Sequence, residues 1–202
     1  MPLRIAIFAS GSGSNAENII SFFSSDPRFE FPVIISNKKN AFVHLRAEKL
    51  KIHSVTFSRE DFESGESILY FLQSQQINAI ILAGFLLKIP IKLIQAFPNK
   101  IINIHPALLP KYGGKGMYGH HVHEAVKNAG ETVSGITIHY VNEHYDDGPP
   151  IFQATCAIAP SDTPEQIAQK VHALEYAHFP KVIEETVLHF LHDQHLPNTT
   201  IQ

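Results

Sequence analysis

The sequence predicts an α/β fold of the doubly wound type, with a mostly parallel sheet, helices on both faces and an antiparallel strand at one edge. In the first half of the chain, apolar runs alternate with segments of helical spacing. These runs are apolar on both faces, as strands are when helices cover both sides of a parallel sheet. In the second half, a longer run alternates apolar with polar residues, which is typical of antiparallel strands.

The first half supplies five strands and four helices in alternation. The predicted strands are 3–8, 31–35, 54–57, 79–83 and 101–105, and the predicted helices are 15–23, 41–50, 67–75 and 91–97. In a doubly wound sheet, ligands bind outside the carboxyl ends of the strands. The residues that follow each strand are therefore the first candidates for a functional site.

The second half supplies two further strands, 133–141 and 151–157, with the turn-rich segment 146–150 between them. We expect these two strands to pair antiparallel at an edge of the sheet. A last helix begins after Thr163, and Gln166 completes its capping box. Because a proline in a helix interior removes a hydrogen bond, Pro180 should kink or break this helix before a segment ending near position 192. Residues 197–202 are expected to form a loose tail.

The composition favours one soluble domain over residues 1–202. Of these residues, 44% are hydrophobic and 17% are charged, so a core can form. The formal net charge of -3 predicts no general binding of nucleic acid or anionic membranes. Cys156 is the only cysteine, and neither a signal peptide nor an uninterrupted apolar span is visible, so we expect a cytoplasmic protein. Both a monomer and a homodimer are compatible with these properties.

The strongest functional signal is Asn103-Ile104-His105-Pro106, at the end of the fifth strand. Side chains two residues apart share one face of a strand, so Asn103 and His105 should lie side by side. Pro106 ends the strand directly after the histidine. An amide can hold a carbonyl oxygen while an imidazole moves a proton, so this pair favours acyl transfer over a packing role.

A second signal is Gly11-Ser12-Gly13-Ser14-Asn15, between the first strand and the first helix. Glycines allow a tight turn, and the free amides and the dipole at a helix start favour an anion. The motif has neither the full GxGxxG spacing nor the lysine of a nucleotide loop. Its position after the first strand nevertheless favours a phosphate site over a plain strand-to-helix turn.

Two loops could complete the site around His105. A nearby carboxylate would hold its tautomer, and either Asp146 or Asp147 could supply one, although Asp147 is better explained as a turn residue. The glycine-rich segment 111–119 directly follows the fifth strand, so it is either a lid or a surface loop.

Two groups of histidines need an interpretation of their own. His120, His121 and His123 lack the spacing of a zinc site, so a solvated or substrate-contacting cluster is favoured over a metal site. His172 and Glu175 are three residues apart on the last helix, and the default interpretation is a surface pair.

Together, four segments resemble those of one enzyme family. They are Gly13-Ser14-Asn15, Ala83-Gly84-Phe85, 103–112 and Asp146-Asp147-Gly148-Pro149, and their order and spacing are similar to those of the phosphoribosylglycinamide formyltransferase family from about Leu3 to about Leu188. The resemblance implies a Rossmann-type formyltransferase fold. It also implies a purine-biosynthesis enzyme that transfers the formyl group of 10-formyltetrahydrofolate, as cosubstrate, to the amine of glycinamide ribonucleotide, with no metal.

The resemblance also implies residue roles. Asn103 would hold the formyl oxygen, His105 would stabilise the oxyanion and move protons, and Asp146 would orient His105. The implied ribonucleotide-binding residues are Gly13, Ser14, Asn15, His172 and Glu175. The implied folate-binding residues are Arg59, Leu86, Leu87, Lys88, Ile89, Asn103, Asn142, Glu143, His144 and Tyr145.

Two alternatives stay open. A formyl-methionyl-tRNA synthesis enzyme or a formyltetrahydrofolate hydrolase would use related chemistry, but each usually carries a further domain for which this chain has no room. A non-catalytic nucleotide- or flavin-binding module of flavodoxin type would fit the sheet pattern and the glycine loop. It would leave Asn103 and His105 without a purpose, and a flavin protein should be yellow.

Overall fold

The computed structural model describes the backbone of residues 1–193, so the tail expected at 197–202 lies outside the described residues. The strands are β1 (Leu3–Phe8), β2 (Phe29–Ser36), β3 (His53–Thr56), β4 (Ala79–Leu82), β5 (Ile101–His105), β6 (Val133–Tyr140) and β7 (Pro150–Ala157). The helices are α1 (Ser14–Phe22), α2 (Val43–Leu50), α3 (Arg59–Ser64), α4 (Glu66–Ser74), α5 (Ile91–Ala96), α6 (His120–Asn128) and α7 (Pro164–Asp193). No helix in this described part is long and apolar enough to cross a membrane.

The strands form one sheet in the order β3-β2-β1-β4-β5-β6-β7. The first five strands run parallel, β6 is antiparallel to β5, and β7 is antiparallel to β6. The predicted doubly wound sheet and its antiparallel edge are therefore confirmed. The strand order reverses at β1, so the carboxyl ends of β1 and β4 border the crevice where this architecture binds ligands.

Two layers of helices explain why the parallel strands are mostly apolar on both faces. Helices α1, α2, α6 and α7 cover one face of the sheet, and α3, α4 and α5 cover the other. In β1, Ile5 and Ile7 pack against the first layer, whereas Ala6 and Phe8 pack against the second, and none of them is exposed. A strand covered on both faces buries both sets of side chains, which is why apolar and polar residues do not alternate at its centre.

The predicted break at Pro180 does not occur, because α7 continues from Pro164 to Asp193. A proline inside a helix costs about 3 kcal/mol. On either side of it, Phe179, Val182 and Ile183 are buried in the core. Burial of three large apolar side chains offsets that cost, since each contributes about 1.5–3 kcal/mol.

Helices α3 and α6 lie outside the predicted helices. In α3, which has six residues, Ser58 and Asp61 form a capping box at the start of the helix. In α6, Val122 and Val126 are the buried aliphatic residues, and histidines fill much of the first turn. Patterns this short do not reveal a period of 3.6 residues.

Candidate active site

The tip of β5 brings together the polar side chains that the sequence singled out. His105 is 3% exposed, and its Nδ1 lies 3.5 Å from Oδ2 of Asp146, which comes from the loop between β6 and β7. Oδ1 of the same carboxylate lies 3.8 Å from Nε2 of His139, and this nitrogen accepts a hydrogen bond of 3.0 Å from Nδ2 of Asn103. An amide, two imidazoles and one carboxylate thus converge at one point.

The protonation pattern of His105 follows from its partner. Nε2 lies 2.7 Å from the carbonyl oxygen of Tyr112, which can only accept, so Nε2 carries the hydrogen. In the neutral ring, Nδ1 therefore keeps a lone pair, and this is the nitrogen that faces Asp146. A proton taken up at Nδ1 would lie between the imidazole and a carboxylate, where its positive charge is stabilised.

His139 is a site residue that the sequence interpretation missed. Its Nδ1 donates to the carbonyl oxygen of Tyr140 at 2.8 Å, so Nε2 is the acceptor for the Asn103 amide. Burial lowers the pKa of His139, which keeps the ring neutral and able to accept near neutral pH. One N–H of Asn103 is thereby held by His139, which fixes the orientation of the amide. The β5–β6 pairing places His139 opposite Asn103, and only that register could have revealed it.

The loop after β5 is tied to this site. Besides the contact of Tyr112 with His105, the amide of Gly114 donates to Oδ2 of Asp146 at 2.9 Å. The phenol of Tyr112 and the ammonium of Lys111 both bind Oε1 of Glu131, at 2.9 and 2.8 Å. The first half of segment 111–119 is thus anchored at the site, and lid motion stays a prediction.

The glycine turn after β1 has the geometry of an anion site. Gly13 is the N-cap of α1 with φ of 74°, a left-handed conformation that favours glycine. The first amides of a helix have no partner within it and point outward with the positive end of the dipole. Arg46 donates to the carbonyl oxygen of Ser12 at 2.9 Å and also pairs with Glu17, so the turn is held from α2.

Replacing Gly13 with alanine should lower the free energy of unfolding by about 1–3 kcal/mol. A Cβ at this position would lie 2.4 Å from Cγ2 of Val43, and the backbone conformation would be strained as well. Gly11→Ala is the matched control, because its Cβ would meet nothing within 4 Å and its φ is not positive. Urea unfolding of both variants measures the difference, and equal midpoints would contradict this account of the turn.

Beside this turn, Glu175 joins α7 to α1. Its Oε2 accepts hydrogen bonds from Nδ2 of Asn15 at 2.9 Å and from Nδ1 of His172 at 2.8 Å. Glu175 is 4% exposed, so the default interpretation of a surface pair is wrong for it. The hydrogen bond to Glu175 raises the pKa of His172, which favours a positive charge on this imidazole beside the glycine turn after β1.

The histidines of α6 separate into two kinds. His120 and His121 are exposed and pair with Glu124 at 3.1 and 3.5 Å, as solvated residues do. His123 is buried, so a solvated cluster is wrong for this one residue. Among residues 1–189, whose side chains the structure describes, no group of three or more His, Cys, Asp or Glu side chains could hold a metal ion.

A cavity of about 450 Å³ opens where the segment after β4 meets α3 and the loop before β7. Five of the residues implied for folate binding line it, namely Arg59, Leu87, Lys88, Ile89 and Tyr145. The other five lie outside its lining. The Leu86 amide donates to the Ser10 hydroxyl at 2.9 Å, and Asn103 lies at the β5 tip. In the loop before β7, the side chain of Asn142 accepts a hydrogen bond of 2.9 Å from the amide of His144, whose ring lies 3.7 Å from Glu143. The structure therefore brings half of the implied folate residues around one cavity.

Fold and site together are those of an α/β enzyme for group transfer. The chain belongs to the formyl transferase family, since the family model described as Formyl transferase matches residues 3–183. It is 36% identical over 186 residues to phosphoribosylglycinamide formyltransferase of Haemophilus influenzae, covering 90% of this chain and 85% of that protein. The Bacillus subtilis enzyme of the same name is 37% identical over 187 residues, at 90% and 93% coverage.

Other relatives differ in length. The chloroplastic phosphoribosylglycinamide formyltransferase of Arabidopsis thaliana is 37% identical over 186 residues, which is 89% of this chain and 64% of that protein. The crystal structure of phosphoribosylglycinamide formyltransferase from Bacillus halodurans superposes with a TM-score of 0.82 at 34% identity, covering 91% of this chain and 95% of that one. The chain thus spans most of its bacterial relatives and about two thirds of the plant protein.

Proposed function

We propose that the protein transfers the formyl group of 10-formyltetrahydrofolate to the amine of glycinamide ribonucleotide, a step of purine biosynthesis. The observation that carries this proposal is the convergence of Asn103, His105 and Asp146 at the β5 tip, close to the crevice that begins at the glycine turn. Sequence similarity to the phosphoribosylglycinamide formyltransferases of two bacteria supports the choice of substrates.

The reaction needs an oxyanion partner and a path for protons. The substrate amine attacks the formyl carbon, and the carbonyl oxygen becomes an alkoxide in a tetrahedral intermediate. The Asn103 amide, which His139 orients, has a second N–H to donate to that oxygen. The amine then loses a proton and the departing folate nitrogen gains one, and Nδ1 of His105 holds a proton between these events while Asp146 stabilises its charge.

The two substrates occupy different sides of this centre in our proposal. The amides of Gly13, Ser14 and Asn15 hold the phosphate of the ribonucleotide, and His172 and Glu175 bind its sugar side. The formyl-folate lies in the cavity of about 450 Å³, where Arg59 and Lys88 supply positive charge for its carboxylates. The folate is a cosubstrate, and a cytoplasmic location stays a prediction of the sequence.

The direct test is an assay of the purified protein with the ribonucleotide and 10-formyltetrahydrofolate. We expect stoichiometric formation of tetrahydrofolate, followed by absorbance, and of formylated ribonucleotide, identified by mass spectrometry. Omitting the ribonucleotide is the control. Release of formate at the same rate without the ribonucleotide would favour a hydrolase instead, and a bound yellow chromophore would favour the flavodoxin-type alternative.

Replacing His139 with phenylalanine should lower kcat for formyl transfer by about tenfold, because the Asn103 amide loses the acceptor that orients it. His139→Gln is the matched variant, since its amide oxygen can accept near the position of Nε2, and it should retain most of the activity. Steady-state kinetics of the two variants measure the difference. If both variants kept the kcat and the circular dichroism spectrum of the wild type, His139 would have no part in the mechanism.

A further inference from the structure

His123 in α6 is buried although its Nδ1 forms no hydrogen bond with the described residues. It is 3% exposed, and within the described residues its Nδ1 is sealed from solvent without a hydrogen-bond partner. An unpaired buried polar atom carries the full cost of losing water. A phenylalanine would fill such a position without that cost, so the imidazole needs a reason beyond packing.

The surroundings of His123 are those of the ribonucleotide side of the site. The charged and titratable groups that act on it are His172 and Glu175 from α7, His105 from β5 and His120 from its own helix. Burial is the largest influence and lowers the pKa of His123 to about 4. The ring is therefore neutral at pH 7, with one nitrogen as donor and the other as acceptor.

A second unpaired atom lies next to the same glutamate. Nδ2 of Asn15 donates to Oε2 of Glu175 at 2.9 Å, but its Oδ1 is buried and has no partner in the described part of the chain. Two side chains near Glu175 thus each keep one sealed, unused polar atom. A bound molecule at this place could supply the missing hydrogen bonds.

We propose that His123 is a sugar-recognition residue, whose Nδ1 pairs with a ribose hydroxyl of the ribonucleotide beside Glu175 and the amide oxygen of Asn15. A hydroxyl both donates and accepts, so it can pair with either tautomer of a neutral histidine. It can also donate to the Glu175 carboxylate or to the amide oxygen of Asn15. A phosphate group would be repelled by the Glu175 carboxylate. Because both unpaired atoms are sealed, the sugar reaches them only when the side chains that cover them move aside.

This inference rests on the proposed function and is tested with the ribonucleotide and its 2′-deoxy and 3′-deoxy analogues. The wild type should lose about tenfold in kcat/KM with at least one analogue. His123→Phe should raise KM for the ribonucleotide about tenfold, leave KM for the formyl-folate unchanged, and no longer distinguish that analogue. His123→Asn places an amide near the position of Nδ1 and should restore most of the discrimination.

His53→Phe is the control, because His53 is exposed at the amino end of β3. A purely structural role predicts a lower melting temperature with discrimination intact, and that result would overturn the proposal. Equal kcat/KM of the wild type for the ribonucleotide and both analogues would also overturn the proposal, and this measurement does not depend on the folding of any variant. Calorimetric binding of the ribonucleotide without folate keeps the two proposals separate, since sugar-dependent binding without formyl transfer would count against the proposed function alone.

Discussion

Replacing His105 with alanine should lower kcat for formyl transfer by about 10²–10⁴-fold, with little change in KM for either substrate. The His105 imidazole can both gain and lose a proton, and its Nδ1 faces Asp146 at 3.5 Å. Without it, the amine proton and the proton for the folate nitrogen must pass through water, and the oxyanion loses a positive neighbour.

A glutamine at position 105 separates the proton transfer from the packing. Its amide N–H can replace Nε2 as donor to the Tyr112 carbonyl oxygen, so the loop anchor is kept, but it cannot carry a proton. His105→Gln should therefore fold as the wild type does and be nearly as inactive as His105→Ala. His53→Ala, at the opposite end of the sheet, is the control. Retention of wild-type kcat by the glutamine variant would exclude proton transfer at His105.

The sequence predicts the part of the site that one strand carries. Asn103 and His105 are two residues apart, and strand periodicity alone places them on one face. The same reasoning predicts the parallel strands, because covered strands must be apolar on both faces. The turn at 146–150 is visible as well, but spacing cannot decide which aspartate reaches the imidazole. The structure selects Asp146, while Asp147 lies near Nδ2 of Asn142 at 3.3 Å.

The residues that escape prediction depend on contacts between distant elements. His139 faces Asn103 only because β6 pairs with β5 in one particular register. Glu175 is buried because the start of α1 meets α7, 160 residues away in sequence, so a helix-face pattern makes it look like a surface acid. The continuity of α7 through Pro180 likewise depends on core packing that a local rule does not contain.

Replacing Asp146 with asparagine should lower kcat by about 10²–10³-fold, because the carboxylate charge that stabilises protonated His105 is lost while the shape is kept. The remaining amide oxygen can still accept from Gly114, so the loop should stay anchored. Asp147→Asn is the matched control one residue away. It is exposed and should be close to the wild type.

The double variant His105→Ala/Asp146→Asn decides whether the aspartate acts through the histidine. If Asp146 works by orienting and stabilising His105, it has nothing to act on once the imidazole is gone, and the double variant should be no slower than His105→Ala. Two independent contributions would multiply instead, giving a rate lower by the product of both single effects. Rapid-quench measurement of the chemical step distinguishes the two outcomes. Multiplicative loss would mean that Asp146 acts on the substrates directly and that the proton path through Nδ1 of His105 is wrong.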